Sequence, residues 1–182
     1  FSPVEKPPRV TQSATWYNSA YMPAMTSPSF SAILRLLGTN ALLEERFTGE
    51  LGSLHGLALK EVLLLMHLER APRMRLSRID LAKRLHVSPS TVTRMAAPLE
   101  KLGMVGREAD ARDARLAYVV LTTAGQELVT NARATLESMA ASVFRDRWTK
   151  PDIAALADLL GRLTAGQPGD LGQSDGGHSD GG

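Results

Sequence analysis

The feature that most constrains this chain is a change of sequence period at Gly103. Before Gly103, apolar residues recur every three or four positions, which is the spacing of one face of a helix. After it, residues 104–109 and 116–121 have the pattern of strands, and the second of these is rich in β-branched and aromatic side chains. We therefore expect a mainly α fold that carries one small β-hairpin.

Two short helices joined by a tight turn directly precede the predicted hairpin. Ser77 is placed to cap the first helix, and Ser88 the second, with Pro89 at a first helical position where its missing N–H costs nothing. Gly103 ends the second helix. The expected buried positions are Ile79, Ala82 and Leu85 in the first helix and Val92, Met95 and Leu99 in the second. Helix, turn, helix and hairpin in this order predict a winged helix-turn-helix.

The chain divides into five segments by composition and period. Residues 1–29 are rich in Pro, Ser and Thr and predict a flexible N-terminal arm, although their aromatic residues leave packing on a partner subunit open. Residues 30–56 predict one amphipathic helix, and residues 57–121 the winged lobe, whose first helix is apolar nearly all round and should be buried. Residues 122–165 predict two more helices, and the Gly-rich residues 166–182 a disordered tail.

Charge is distributed unevenly along the chain. Residues 70–115 contain eleven Lys and Arg against five Asp and Glu, whereas the rest of the chain contains ten against fourteen. A basic middle with acidic flanks favours a module that binds a polyanion, and an ordinary solvated charged surface is the alternative.

Several classes of function find no support in the sequence. There is no Cys, and the four His are scattered, so structural or surface roles are favoured over metal binding and we expect no cofactor. No nucleophile elbow, phosphate-binding Gly loop or recurrent catalytic spacing is present, which argues against an enzyme. The lack of Cys, of a long apolar run and of a secretory signal pattern is compatible with a cytoplasmic protein.

The start of the helix at Ser88 has the residue types that suit a DNA groove. Small hydroxyl side chains let the backbone approach closely, the helix N-terminus favours phosphate, and an arginine can contact a guanine edge or a phosphate. The candidate groove residues are Ser88, Ser90, Thr91, Thr93 and Arg94.

The link between the two predicted strands carries a second set of candidates. Arg112 and Arg115 lie close together there, and Asp113 is placed to hold the guanidinium of Arg115. Arginine is favoured in the minor groove beside a recognition helix, so these residues predict a DNA-contacting wing. A loop that only improves solubility is the alternative.

Residues 76–125 strongly resemble the DNA-binding core of the MarR family of bacterial transcriptional regulators, and the helix order matches over about residues 30–165. The motifs that carry the resemblance are Leu81-Ala82, Ser90-Thr91-Val92-Thr93-Arg94, Leu99-Glu100-Lys101-Leu102-Gly103, Arg107, Asp113-Ala114-Arg115 and Leu121-Thr122 with Gly125. The resemblance implies a homodimer held by the first and last two helices. It implies that the recognition helix enters the major groove and Arg115 the minor groove of an inverted-repeat operator.

The combined expectation is a homodimeric, sequence-specific DNA-binding transcriptional regulator. Members of the family often bind small aromatic acids or phenols, so the resemblance implies a repressor that a small aromatic or lipophilic anion releases from double-stranded DNA. No ligand residues can be assigned from the sequence. A winged-helix module that contacts protein or RNA without operator specificity is the alternative.

Overall fold

The computed structural model describes residues 27–109 and 117–172. Within these ranges the chain is mainly helical with one small antiparallel sheet, which confirms the expected fold class. The elements in chain order are α1 (Pro28–His55), α2 (Leu59–Glu69), a short 3-10 helix (Pro72–Met74), β1 (Arg75–Ser77), α3 (Arg78–Leu85), α4 (Pro89–Lys101), β2 (Val105–Ala109), β3 (Ala117–Leu121), α5 (Thr123–Val143) and α6 (Lys150–Thr164).

The chain forms two compact units, one ending at Leu42 and the other beginning at Leu43. The described part of the first unit is the first half of α1. Its large apolar side chains are exposed, namely Phe30, Ile33, Leu34, Leu36, Leu37 and Leu42. Every element from α2 onward belongs to the second unit.

The core of the second unit is built around α2. This helix is apolar on almost every side, as predicted, and its residues Val62, Leu64, Leu65 and Leu68 have no solvent exposure. The other elements contribute residues to the same cluster, among them Leu81 of α3, Val92 and Leu99 of α4, Val105 and Val119 of the sheet, and Val129 and Ala132 of α5. The helix-turn-helix and the hairpin therefore share one core.

Hydroxyl side chains cap five of the described helices: Ser27 accepts from the backbone N–H of Phe30 at the start of α1, and Ser77 and Ser88 lie at the predicted positions. Ser77 accepts a hydrogen bond from the backbone N–H of Asp80 at 3.1 Å, and Ser88 accepts one from Thr91 at 3.1 Å. The hydroxyls of Thr122 and Thr149 do the same for α5 and α6. Each bond satisfies an N–H that has no partner within its helix.

The sheet has three strands in the order β1-β3-β2, and both pairings are antiparallel. The sequence predicts β2 and β3 but not β1. Leu76 of β1 pairs with Val119 of β3, whose other side pairs with Arg107 of β2. A strand of three residues is too short to show an alternating pattern in the sequence. It is recognised only by its hydrogen bonds to the partner strand.

The predicted buried face of α3 is wrong at one position. Ile79 is 53% exposed, whereas Leu81 is fully buried and Ala82 almost so. Because α3 begins at Arg78, Ile79 lies in its exposed first turn, where it lines an open depression on the surface. Leu85 packs against the core as expected.

The described part of the predicted tail, residues 166–172, packs against other elements of the second unit. Arg70 Nη1 donates a hydrogen bond to the carbonyl oxygen of Leu171 at 2.6 Å. The rest of that tail (173–182), most of the predicted arm (1–26) and the link between β2 and β3 (110–116) lie outside the described residues.

No single helix in the described ranges is long and apolar enough to cross a membrane. Helices α1 and α2 reach the required length and composition only as a pair, and they are bent by 77° at their junction.

Candidate nucleic-acid interface

Helix α4 is held firmly on one face and open on the other. Val92 and Leu99 are fully buried and Ala96 nearly so, at positions three and four residues apart. Ser90 and Arg94 are exposed on the opposite face. The core thus fixes one face of the helix while the opposite face of its first two turns is open.

The hydroxyls at the start of α4 form a local network. Ser88 Oγ lies 2.8 Å from Ser90 Oγ and 2.9 Å from Thr91 Oγ1, in addition to capping the helix. Thr93 Oγ1 donates to the carbonyl oxygen of Pro89 at 3.1 Å. Ser88 is consequently engaged in holding the helix end.

Arg94 is the cation in the first two turns of α4. Its Nη2 donates to Thr91 Oγ1 at 3.3 Å, and the side chain is exposed. A single long hydrogen bond to a neutral hydroxyl holds a guanidinium weakly, so Arg94 can exchange it for a bidentate acceptor such as a guanine edge or a phosphate.

The structure brings two further arginines to this surface. Arg78, the first residue of α3, has its Nη1 3.5 Å from Thr93 Oγ1. Arg107 of β2 pairs with Glu100, with 2.9 Å between Nε and Oε2. Both arginines line a narrow crevice of about 60 Å³ between α4 and the sheet, together with Thr93 and Tyr118.

These two arginines were not among the candidates drawn from the sequence. Arg78 directly follows the predicted cap Ser77, and a residue just inside a helix N-terminus is the only local signal for it. Arg107 belongs to the family motifs, but the sequence does not place it beside α4. Their proximity to Thr93 depends on how α3 and β2 pack.

Arg75 ties the three strands together. It lies on β1, its guanidinium carbon is 4.6 Å from the ring centre of Tyr118 on β3, and it forms an ion pair with Glu108 on β2. This cation–π contact and ion pair cross the whole sheet. They brace the hairpin near its link.

The predicted wing residues Arg112, Asp113 and Arg115 lie outside the described residues. The chain enters their segment at Ala109 and leaves it at Ala117, and these two alanines are register partners. The structure therefore brings the candidate residues of α4 together. For the wing candidates it shows only that the two ends of their segment are held by a pair of strands.

His67 is a buried polar residue of the core near this lobe, at 3% exposure. Burial, with further contributions from the positive charges of Arg84, Arg70 and His86, lowers the pKa of His67 to about 4. The imidazole is consequently neutral at pH 7. In the described ranges, no three His, Asp or Glu side chains cluster closely enough to hold a metal ion.

The sequence model of the MarR family matches residues 57–116. This match covers α2 to the end of the link after β2, so it contains all of the candidate groove residues. None of the curated proteins searched matches the chain.

Solved structures extend the similarity beyond that segment. Sco3205, a MarR family transcriptional regulator from Streptomyces coelicolor in complex with DNA, is 24% identical, with a TM-score of 0.68 over 82% of this chain and 99% of its own. A mutant MarR from E. coli complexed with operator DNA is 22% identical, with a TM-score of 0.63 over 72% of this chain and 93% of its own.

A third neighbour was solved with a small molecule. The organohalide-sensing transcriptional regulator RdhR, in its 2,4-dichlorophenol-bound form, is 16% identical, with a TM-score of 0.67 over 82% of this chain and 86% of its own. The resemblance found in the sequence is confirmed: residues 57–116 match the model of the MarR family, and the chain has the winged-helix fold of the solved MarR regulators.

Proposed function

We propose that this chain is a homodimeric, sequence-specific DNA-binding transcriptional regulator that places α4 in the major groove. The observation that carries the proposal is the two-sided character of α4. Val92 and Leu99 anchor it, while Ser90 and Arg94 face outward. A helix must be held by its domain and present short polar residues and a cation to read base edges.

The flanking cations support the same proposal. Arg78 and Arg107 line the crevice beside Thr93, next to α4. Cations at such positions neutralise phosphates that border a groove, which sets the register of the helix. Ser88, Thr91 and Thr93 then complete the groove set by holding the helix start.

The wing is proposed to extend the footprint into the minor groove through Arg112 and Arg115, with Asp113 orienting Arg115. The paired alanines at 109 and 117 support this role, because they bring both ends of the link to one place beside α4. A narrow minor groove carries an enhanced negative potential, which favours arginine.

The dimer is proposed to form through the terminal helices, 30–56 and 122–165, which flank the lobe 57–121. Leu159 and Leu163 of α6 support this because they are exposed on a helix that has no buried residue. Large apolar side chains grouped on one helix mark a protein–protein contact. A twofold dimer requires an inverted-repeat operator with half-sites about one helical turn apart.

The regulator is further proposed to be a repressor that responds to a small aromatic or lipophilic anion. The phenol-bound form of RdhR supports a ligand of this class. Such a ligand releases DNA only if its affinity differs between the free and the DNA-bound protein.

Selection of bound duplexes from a random library tests the core of the proposal. We expect enrichment of an inverted repeat, and binding that weakens steeply with salt. Arg94→Ala, run in parallel, should enrich a more relaxed half-site. Absence of any enriched duplex, or preference for RNA, would favour the alternative of a winged-helix module for RNA or protein contacts.

A further inference from the structure

The segment that follows α6 returns to the helix-turn-helix. Residues 165–172 leave α6 and contact α3 and the end of α2. Gln167 and Pro168 line one open depression with Lys83, His86 and Pro89. Pro89 is the first residue of α4, so the segment reaches the start of the proposed recognition helix.

Gly169 is the closest point of this contact. A Cβ at Gly169 would lie 2.5 Å from the carbonyl oxygen and 2.7 Å from the Cα of Arg84, and its backbone φ is +101°. Both the space and the conformation favour glycine at this position. The segment is therefore seated directly on the backbone of α3.

Polar bonds hold the segment on both sides of Gly169. Arg70 Nη1 donates to the Leu171 carbonyl oxygen at 2.6 Å. Asp170 accepts from the backbone N–H of Gly172 at 2.9 Å and from the hydroxyl of Thr164 at 3.2 Å, which folds the segment back onto the end of α6.

The surface under the segment is basic. We call Arg70, Lys83, Arg84 and His86 the α3 basic face. The lowered pKa of His67, to which Arg84, Arg70 and His86 all contribute, is consistent with positive charge gathered there. Of the nearby carboxylates, Glu69 pairs with Arg133 and Asp80 with the Ser77 hydroxyl, so both are already engaged.

The covering segment has the opposite character. Residues 165–172 contain no Lys or Arg and one acidic residue, Asp170. A segment that carries carbonyl and carboxylate oxygens but no cation competes with phosphates for a basic surface, because both present negative charge or acceptor oxygens.

We propose that residues 165–172 form an autoinhibitory strap that competes with the DNA backbone for the α3 basic face. This inference rests on the proposed DNA-binding function. With the strap seated, Arg70 Nη1 bonds to the carbonyl oxygen of Leu171, and Gly169 covers the backbone of Arg84. When the strap leaves, the guanidinium of Arg70 is released from Leu171, and the α3 basic face can meet phosphates that flank the start of α4.

Release of the strap has a measurable electrostatic consequence. Each phosphate contact changes the slope of log binding constant against log salt concentration by about 0.9. Release of Arg70 from Leu171 should therefore steepen the slope by roughly 1, and strengthen binding to an arbitrary duplex by roughly three- to tenfold near 0.1 M salt.

Gly169→Ala in the full chain tests the strap. Its Cβ meets the backbone of Arg84, which cannot move aside as a flexible side chain would. Gly161→Ala in α6 is the matched control, because a Cβ there meets nothing within 4 Å. Three quantities are compared: hydrogen exchange of residues 166–172, affinity and salt slope for an arbitrary 20-base-pair duplex, and the salt needed to elute the protein from heparin.

We expect Gly169→Ala alone to exchange faster in the strap, bind the duplex more tightly with a steeper slope, and elute from heparin at higher salt. The proposed strap is wrong if hydrogen exchange of residues 166–172 does not change in Gly169→Ala. It is also wrong if that exchange becomes faster while the salt needed for elution from heparin does not rise. Heparin elution that rises while neither protein binds any duplex would leave the strap intact and refute the proposed function instead.

Discussion

Arg94 illustrates how little of a residue's role is visible in its own contacts. In this structure it makes one hydrogen bond of 3.3 Å to Thr91, yet it stands on the exposed face of a helix whose other face is fully buried. Arg94 suits the proposed function because the buried face of α4 holds this side chain on the outside of the domain.

Arg94→Ala should weaken binding to the selected operator by roughly 1–3 kcal/mol, the range of a good base contact. Arg115→Ala should have an effect of the same size if the wing contacts the minor groove. Affinity is measured by fluorescence anisotropy at fixed salt, with the thermal unfolding midpoint recorded alongside.

Arg145→Ala is the matched control for both variants. Arg145 is exposed just beyond α5, whose 21 residues span about 30 Å from the lobe. Wild-type affinity in Arg94→Ala would remove α4 from the proposed interface, and wild-type affinity in Arg115→Ala would remove the wing.

His67 predicts a dependence of stability on pH. Its pKa is about 4 in the folded chain against 6.5 in the unfolded chain, so between these values only the unfolded state binds the extra proton. The free energy of unfolding should fall as the pH drops through this window, with a loss of about 2 to 3 kcal/mol at pH 4.5 relative to pH 7.5. Urea unfolding at both pH values measures it.

His67→Leu should reduce that loss, since leucine has no proton to bind. Its stability at pH 7.5 sets the reference for the comparison. A decline between pH 7.5 and pH 4.5 equal to that of the wild type would show that other groups control the acid response.

At the scale of elements, the chain is packed most closely where the hairpin meets α5. Among the described glycines, Gly125 leaves the least space for an added Cβ. A Cβ at Gly125 would overlap the carbonyl oxygen of Met104 and lie 2.7 Å from Leu121 Cδ1. The same carbonyl accepts hydrogen bonds from the backbone and hydroxyl of Thr122. The start of α5 is thus locked against the beginning of β2.

Gly125→Ala should destabilise the fold by about 1–3 kcal/mol, because an added methyl group must push apart a backbone that has no free space. Chemical unfolding at neutral pH gives the value. Gly52→Ala in α1 is the control, since a Cβ there meets nothing within 4 Å and alanine favours the helix. Equal stability of the two variants would contradict the close contact.

At the scale of the whole molecule, the oligomeric state is expected to depend on the apolar side chains that a single copy leaves exposed. Leu163 is 65% exposed and Leu159 is 55% exposed on α6. They lie four positions apart, which places them on one side of the helix. We propose that a second copy covers this side.

The double substitution of Leu159→Ser and Leu163→Ser should shift the protein from dimer to monomer and weaken operator binding, because a half-site alone retains few contacts. Sedimentation at micromolar concentration measures the first effect. Leu102→Ser is a matched control, since this leucine is 63% exposed at the end of α4 and lies outside the proposed dimer contact. A wild-type protein that sediments as a monomer would contradict the dimer.

The sequence by itself was sufficient for features whose causes lie within a few residues. Ser77 and Ser88 were identifiable because each hydroxyl bonds to an N–H three residues later. The buried faces of α2 and α4 followed from helical spacing, as did the outward position of Arg94.

Features whose partners are distant in the sequence were decided only by the tertiary structure. Strand β1 exists because it pairs with β3, more than forty residues away, and Arg78 joins the groove candidates because α3 packs beside α4. The strap depends on a bond between Arg70 and Leu171, which are 101 residues apart. Local patterns report local hydrogen bonds and faces, whereas the packing of those faces sets which distant residues meet.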